Sequence, residues 1–151
     1  MEAIAGPETA RKTILLVDDE EMVIEVGEQM LKTMGFDVLL ARSGREAVDL
    51  VSKARDTTSA RDGSPFTRER TETRLSMPDL VILDIVMPEM GGGETYDRLV
   101  EIDPAIKVLL ASGYAIEDQA QEILERGCNG FIQKPFNLRQ LSLKIREVME
   151  Q

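Results

Sequence analysis

The stretch Leu80–Asp84 reads Leu-Val-Ile-Leu-Asp, an unbroken apolar run that stops at a single carboxylate. Four further short runs have the same apolar character, and all five are separated by segments of helical periodicity. The other runs are Thr13–Val17, Asp37–Ala41, residues 108–111 and Gly130–Gln133. Continuous apolar runs of this length are typical of strands buried in a parallel sheet, because helices cover both faces of such a sheet. The stretch therefore predicts an α/β fold.

The segments between the runs predict the helices. The first is expected over residues 20–34, because Met22, Val23, Val26, Met30, Leu31 and Met34 recur at helical spacing. The second and fifth begin at capping boxes at residues 43–46 and 137–140. The third follows the glycines at residues 91–93, and the fourth is expected over residues 117–126. Strict alternation of strand and helix implies a parallel sheet with helices on both faces.

Polar side chains follow four of the five runs, at the point where each run ends. Asp18 and Asp19 follow the first, Asp84 the third, Ser112 the fourth and Lys134 the fifth. Because ligands gather at the carboxyl ends of parallel strands, these groups are expected to share one crevice. Each of them alone is also consistent with an ordinary helix cap or turn. Their joint occurrence favours a functional site.

Three carboxylates, a hydroxyl and an ammonium suit a divalent cation together with a phosphoryl group. Mg²⁺, or Mn²⁺ in its place, takes oxygen ligands and needs few carboxylates. We expect Asp19 and Asp84 to bind it directly, and Asp18 directly or through water. Lys134 and Ser112 can then contact phosphoryl oxygens that the metal does not reach. The pattern predicts Asp84 as a nucleophile that forms an aspartyl phosphate.

The composition argues against several other classes of protein. The formal net charge of −10 and the isoelectric point near 4.6 argue against a nucleic-acid-binding surface. The chain has no histidine, so it is neither a phosphohistidine carrier nor a complete histidine kinase. The single cysteine, Cys128, fits a cytoplasmic location. No apolar stretch is long enough to predict membrane insertion.

Two segments lie outside the regular alternation. Residues 1–12 are predicted to be a linker or disordered leader, ahead of one domain over residues 13–151. Residues 56–77 form an insertion where α/β connections usually take about 2–6 residues. Residues 53–74 carry six basic and four acidic side chains, a net charge of +2. An extended second helix followed by a solvated loop is the simpler interpretation, and a segment that docks a partner is the alternative.

Four motifs together resemble the receiver domain of two-component response regulators, the family of the bacterial chemotaxis regulator. They read Ile-Leu-Leu-Val-Asp-Asp-Glu at 14–20, Leu-Val-Ile-Leu-Asp-Ile-Val-Met-Pro at 80–88, Leu-Ala-Ser-Gly-Tyr at 110–114 and Gly-Phe-Ile-Gln-Lys-Pro-Phe at 130–136. The resemblance covers about residues 12–151, except the insertion. It implies a single flavodoxin-like (βα)5 domain, doubly wound, with a five-stranded parallel sheet in the strand order 2-1-3-4-5.

The resemblance also implies a role for each matching residue. Asp84 resembles the phosphoacceptor, and Asp18 and Asp19 resemble the acidic metal-binding pair. The other implied roles are a metal ligand at the Val86 carbonyl, a switch hydroxyl at Ser112, a phosphate-sensing lysine at Lys134, a switch aromatic at Phe131 and a cis peptide bond before Pro135. Phe131 lacks the hydroxyl of the tyrosine that many relatives carry, so no switching hydrogen bond is expected from it.

What the resemblance implies is a signalling phosphoacceptor, with no catalysis beyond its own phosphorylation and dephosphorylation. The expected donor is a sensor histidine kinase or a histidine phosphotransfer domain. The expected output partner binds the face formed by the fourth helix, the last strand and the last helix. The chain ends soon after Val148, which leaves two expectations open: a free-standing regulator, or the receiver domain of a hybrid sensor histidine kinase.

Two other functions fit the residues less well. A phosphatase of the haloacid-dehalogenase type needs a second Asp two residues after its nucleophile, where this chain has Val86. A receiver that binds without being phosphorylated usually lacks an acidic residue or the lysine, and this chain has all of them.

Tyr114 and Val86 are predicted to shield the phosphoryl group and to slow its hydrolysis. Alternatively, Tyr114 packs only on the following helix.

Overall fold

Strands and helices alternate through the whole described chain. The computed structural model describes residues 12–60, 77–113 and 118–151, without the side chains of residues 57–60 and 118. The strands are β1 (Thr13–Val17), β2 (Asp37–Ala41), β3 (Leu80–Asp84), β4 (Val108–Ser112) and β5 (Gly130–Gln133). The helices are α1 (Glu21–Thr33), α2 (Gly44–Ala60), α3 (Gly92–Ile102), α4 (Asp118–Glu125) and α5 (Leu138–Met149). All strands are parallel in the order β2-β1-β3-β4-β5, which confirms the expected fold class and strand order.

Helices cover both faces of the sheet. The three central strands β1, β3 and β4 are buried along their whole length. Alternate residues of these strands point to opposite faces and so contribute to two cores. Leu15 and Leu83 pack with α2, α3 and α4, whereas Leu16 and Ile82 pack with α1 and α5. This arrangement is the doubly wound sandwich that continuous apolar runs predict. No helix in the described part of the chain is long and apolar enough to span a membrane.

The buried face of α1 includes only part of the apolar residues at helical spacing: Leu31 is buried, and Met30 and Met34 are partly buried against the same core. The buried residues are Ile24, Gly27 and Leu31, whereas Met22 is 73% exposed and Val26 is 51% exposed. The reason is Gly27, since a Cβ atom there would lie 2.7 Å from Cδ2 of Leu16. Because α1 lies this close to the sheet, the residue at the contact has no room for a side chain, and Gly27 faces the sheet. Met22 and Val26 are then left exposed on another side of α1.

The two predicted capping boxes have different outcomes. At α5, Asn137 and Gln140 exchange both hydrogen bonds, at 2.8 and 2.9 Å, as predicted. At α2, the Ser43 hydroxyl accepts a hydrogen bond from the Glu46 backbone N–H at 3.1 Å. The Glu46 carboxylate, however, accepts from the backbone N–H of Arg42 at 2.8 Å rather than from Ser43. The reciprocal box predicted at residues 43–46 was therefore wrong in one of its two bonds.

Helix α2 extends into the segment predicted as an insertion. It ends at Ala60, so its last turn includes residues 56–60 of that segment. The described chain resumes at residue 77, immediately before β3. Residues 61–76, the leader at residues 1–11 and the predicted shielding residue Tyr114 lie outside the described residues. The domain boundaries and the role of the insertion therefore stay predictions.

The start of α3 lies against the strand end that carries Asp84. Gly92 allows this approach, because a Cβ atom there would lie 2.7 Å from Cα of Ile85 and 3.1 Å from the carbonyl oxygen of Asp84. The Gly92 backbone N–H also donates to the Ile85 carbonyl at 2.9 Å. The loop between β3 and α3 is thus held close to the sheet. Within that loop, Glu89 adopts a left-handed conformation with φ of 67°.

Candidate functional site

The sequence-predicted polar residues lie at the carboxyl ends of four neighbouring strands. Asp18 follows β1 directly, and its backbone N–H donates to the Ala41 carbonyl at the end of β2. Asp84 and Ser112 are the last residues of β3 and β4. Lys134 follows β5, and its backbone N–H donates to the Ser112 carbonyl at 2.7 Å. The strand-end positions therefore bring the predicted residues to one edge of the sheet.

Three carboxylates form a cluster in this crevice. One oxygen from each of Asp18, Asp19 and Asp84 lies within 4.8 Å of the others. Asp18 is 2% exposed and Asp84 is 4% exposed, whereas Asp19 is open to solvent. Carboxylate oxygens at this spacing, with one open side, fit a hard divalent cation that retains water ligands. The donor set is therefore the kind that Mg²⁺ or Mn²⁺ prefers.

Lys134 connects the two buried carboxylates. Its Nζ donates to Oδ2 of Asp18 at 2.9 Å and lies 3.4 Å from Oδ1 of Asp84 and 4.0 Å from Oε1 of Glu20. Burial lowers the pKa of Lys134, but its hydrogen bond to Asp18 and the charges of both aspartates raise it more, so that the net shift is upward. Lys134 is therefore a cation, and one positive charge faces three carboxylates. The Lys134–Pro135 peptide bond is cis.

Burial changes the acidity of Asp84. Loss of water contact raises the pKa of this carboxyl from 3.8 to about 6, and the neighbouring charge of Asp18 adds to the rise. Lys134 and the backbone N–H of Val86 oppose it. A carboxylate that is costly to keep charged is stabilised when a cation binds beside it. A cation bound in the crevice would therefore stabilise the charged form of Asp84.

The raised pKa of Asp84 predicts a pH dependence of stability. Because the folded state binds this proton more tightly than the unfolded chain does, Asp84 stabilises the metal-free fold below pH 3.8. That stabilisation is lost as the pH rises through about 6. We expect the loss to be about 1–2 kcal/mol, after allowance for solvent screening. Asp84→Asn lacks this loss, so its unfolding free energy should exceed that of the wild type by more at pH 7.5 than at pH 4.5. Urea titration measures both, and a pH-independent difference would contradict the assignment.

The other predicted site residues lie around this cluster. Ser112 is buried at 1% exposure. Val86 lies beyond Asp84 with its side chain 54% exposed at the mouth of the crevice. Phe131 is half-buried, packs against the core that faces α2, α3 and α4, and lines a depression beside α5. The predicted roles of these residues stay predictions, whereas their positions are those that the strand-end pattern indicates.

A groove next to the carboxylates was missed by the sequence reasoning. Its volume is about 770 Å³, and it runs from Asp84 and Lys134 along the exposed side of α1. The apolar wall consists of Met22, Val23, Val26 and Met30 of α1 with Val86, Pro135 and Phe136. Residues 22, 26 and 30 recur every four positions, which indicates a second apolar stripe on α1. That spacing was the available signal, but it predicted only the helix itself.

Comparisons with known proteins agree with this geometry. A family model of the response regulator receiver domain matches residues 14–146. The sensor kinase CckA of Brucella abortus is 33% identical over 138 residues, which cover 91% of this chain and 12% of the kinase. The polar-differentiation response regulator DivK of Brucella anthropi is 25% identical over 129 residues, covering 84% of this chain and 87% of DivK.

A solved structure resembles the fold over nearly its whole length. The CheY-like response regulator receiver domain protein from Methanospirillum hungatei has a TM-score of 0.74 and 25% identity, covering 93% of this chain and 95% of that one. The chain spans less than half the length of the kinase and of several transcriptional regulators that it matches. This chain belongs to the response regulator receiver domain family of two-component signalling.

Proposed function

We propose that this chain accepts a phosphoryl group from a phosphorylated histidine onto Asp84 and thereby changes its affinity for an output partner. The observation that carries the proposal is the position of Asp84. Its carboxylate is buried at the end of β3, within 4.8 Å of two further carboxylates and 3.4 Å from the Lys134 ammonium. Phosphoryl transfer depends mainly on positioning and charge neutralisation, and this constellation supports both.

In the proposed step, one oxygen of Asp84 attacks phosphorus while the bond from phosphorus to the histidine nitrogen breaks. The leaving imidazole keeps the bonding electron pair and takes up a proton. Lys134 exchanges its contacts with Asp18 and Asp84 for a phosphoryl oxygen, and the Ser112 hydroxyl donates to another. Asp18, Asp19, Asp84 and the Val86 carbonyl would hold Mg²⁺, which supplies the positive charge that three carboxylates and a phosphoryl group require.

The experiment that tests this function uses a small phosphodonor. The full chain is incubated with acetyl phosphate and Mg²⁺, and its intact mass is followed. A gain of one phosphoryl group is expected, and the gain should disappear when the metal is removed with a chelator. A mass that never changes under any donor and metal concentration would contradict the proposal.

The apolar groove along α1 is the proposed docking surface for the histidine donor. It opens directly onto Asp84, so a helix seated on Met22 and Val26 can present a phosphorylated side chain to the carboxylate. Burial of these exposed apolar side chains would also contribute to binding. The output partner is proposed on the face of α4, β5 and α5, where a separate depression lies between β5 and α5 beside Phe131 and the exposed Leu143.

A charge placed on the groove separates docking from chemistry. Met22→Glu should slow transfer from a phosphorylated histidine phosphotransfer domain by about tenfold or more, since it inserts a carboxylate into an apolar contact. Its rate with acetyl phosphate should stay unchanged. Leu143→Glu is the matched control, because it adds the same charge to another exposed apolar residue that lies outside the groove. Equal slowing by both variants would contradict docking on α1.

A second form of the function, as one domain of a longer kinase, is supported by the match to CckA. The segment similar to CckA of Brucella abortus is 12% of that sensor kinase, whereas DivK of Brucella anthropi is matched over 87% of its length. Sequence similar to this chain therefore occurs both within a long sensor kinase and in a short response regulator. The receiver domain of a hybrid sensor histidine kinase is the alternative to a free-standing regulator. In either form we propose a cytoplasmic location, where histidine donors are phosphorylated from ATP.

A further inference from the structure

Arg42 links the loop that follows β2 to the start of α1. It is the first residue after β2, and its guanidinium makes a bidentate contact with Glu21, the first residue of α1. Nε donates to Oε1 at 2.8 Å and Nη2 donates to Oε2 at 2.9 Å. The backbone N–H of Arg42 donates to Glu46 at the start of α2. Because the guanidinium is planar and makes two parallel hydrogen bonds to the carboxylate, this contact fixes the orientation of the two side chains as well as their distance. We call this two-bond contact between Arg42 and Glu21 the brace. Arg42 therefore ties the starts of α1 and α2 together.

The turn between β1 and α1, which directly precedes Glu21, carries Asp18 and Asp19. Asp18 is held on one side, since its backbone N–H donates to the Ala41 carbonyl at 3.1 Å. Its Oδ1 also accepts from the Glu20 backbone N–H at 2.9 Å, which closes a tight turn over Asp19. Glu20, the residue that precedes α1, makes no side-chain cap to the helix. Where the turn enters α1, it is held instead by the contact between Glu21 and Arg42.

We propose that Arg42 is a positioning residue for the metal site, which through Glu21 holds the β1–α1 turn so that Asp19 points into the crevice. Asp19 is exposed, so packing against the core does not fix its side chain. Mg²⁺ demands nearly ideal octahedral geometry at short distances, and therefore its affinity is sensitive to a displaced ligand. The inference rests on the proposed metal-dependent function, and it adds a residue that lies outside the carboxylate cluster.

The charge of Arg42 and its contact with Glu21 should change the Mg²⁺ affinity in opposite directions, which makes the inference testable. A positive charge near the crevice repels Mg²⁺, so removal of that charge alone should tighten metal binding. Removal of the brace should weaken binding, because the turn that carries Asp19 is released. A weaker affinity in Arg42→Gln is thus a signature of positioning and not of charge.

The test measures Mg²⁺ affinity of the full chain by calorimetry, with circular dichroism to verify folding. Wild-type binding is measured first, and if the wild type does not bind Mg²⁺, the proposed function fails rather than this inference. Arg42→Gln should bind about threefold more weakly than the wild type. Arg42→Lys keeps the charge, and with it the repulsion of Mg²⁺, but loses the two-bond contact, so it should bind at least as weakly as Arg42→Gln. Lys32→Gln is the matched control, because it removes one positive charge and one exposed ion pair, with Glu28, from the other end of α1.

A double-mutant cycle gives the decisive comparison. In a Glu21→Gln background the brace is already absent, so a further Arg42→Gln should act through charge alone and tighten Mg²⁺ binding. The sign of the Arg42→Gln effect should therefore reverse between the two backgrounds. The same effect in both backgrounds, or wild-type affinity in Arg42→Gln, would overturn the inference.

Discussion

Asp84→Asn should yield a folded protein whose rate of phosphoryl gain from acetyl phosphate falls by at least about 10³-fold, to the limit of detection. The amide is close in shape to the carboxylate, so the fold is kept, but it lacks the anionic oxygen that attacks phosphorus. Because Asp84 is buried and costly to charge, the variant should also be more stable than the wild type at neutral pH without metal. Intact mass and urea titration measure the two effects on the same sample.

The control for this variant lies at the opposite end of the same strand. Asp79 precedes β3, and its carboxylate accepts a hydrogen bond from the Thr13 backbone N–H at 2.7 Å. Asp79→Asn should lower stability while phosphoryl gain continues at nearly the wild-type rate. Asp19→Asn should still be phosphorylated at high Mg²⁺ concentration, since it loses a ligand and not the nucleophile. A full mass gain in Asp84→Asn would show that another residue accepts the group.

Lys134→Met should separate metal binding from phosphoryl transfer. The variant removes the ammonium that lies 2.9 Å from Asp18 and 3.4 Å from Asp84, and it keeps much of the apolar stem. Mg²⁺ should bind about tenfold more tightly, because a competing positive charge has gone. The rate of phosphorylation should nevertheless fall by about 10²-fold, because no cation replaces Lys134 at the phosphoryl oxygen. Calorimetry and mass spectrometry measure the two quantities.

The matched control for the lysine is Lys144→Met on α5. Lys144 carries the same charge and pairs with Glu147 at 3.3 Å on the surface of the helix. Its removal changes the net charge equally, yet both Mg²⁺ affinity and phosphorylation rate should stay within about twofold of the wild type, because surface ion pairs contribute little. If the two lysine variants had equal effects, Lys134 would have no special role at the phosphoryl group.

The strands were predictable because the information is local and the pattern is strong. Leu80–Asp84 and the other apolar runs are buried on both faces, so that burial leaves a continuous signature in the sequence. The convergence of Asp18, Asp84 and Lys134 followed from the rule that parallel strands end at one edge. The resemblance then supplied the strand order, which the register of β3 between β1 and β4 confirms.

The errors arise where the outcome depends on contacts between distant residues. Gly27 determines the inward face of α1 by its contact with Leu16, and helical periodicity alone cannot show that a glycine makes the closest approach. The Arg42–Glu21 pair joins residues 21 positions apart, across two different loops. No spacing rule finds such a pair before the strands are placed. The groove along α1 was missed for the same reason, since its wall combines α1 with Pro135 and Phe136.

The most direct test of the central claim identifies the phosphorylated residue itself. The wild-type protein is treated with acetyl phosphate and Mg²⁺ and then reduced with borohydride, which converts an aspartyl phosphate into homoserine. Peptide mass spectrometry should find homoserine at position 84 and unchanged aspartates at positions 18 and 19. Homoserine at position 18 or 19, or an unmodified Asp84 in protein that has gained a phosphoryl group, would contradict the account.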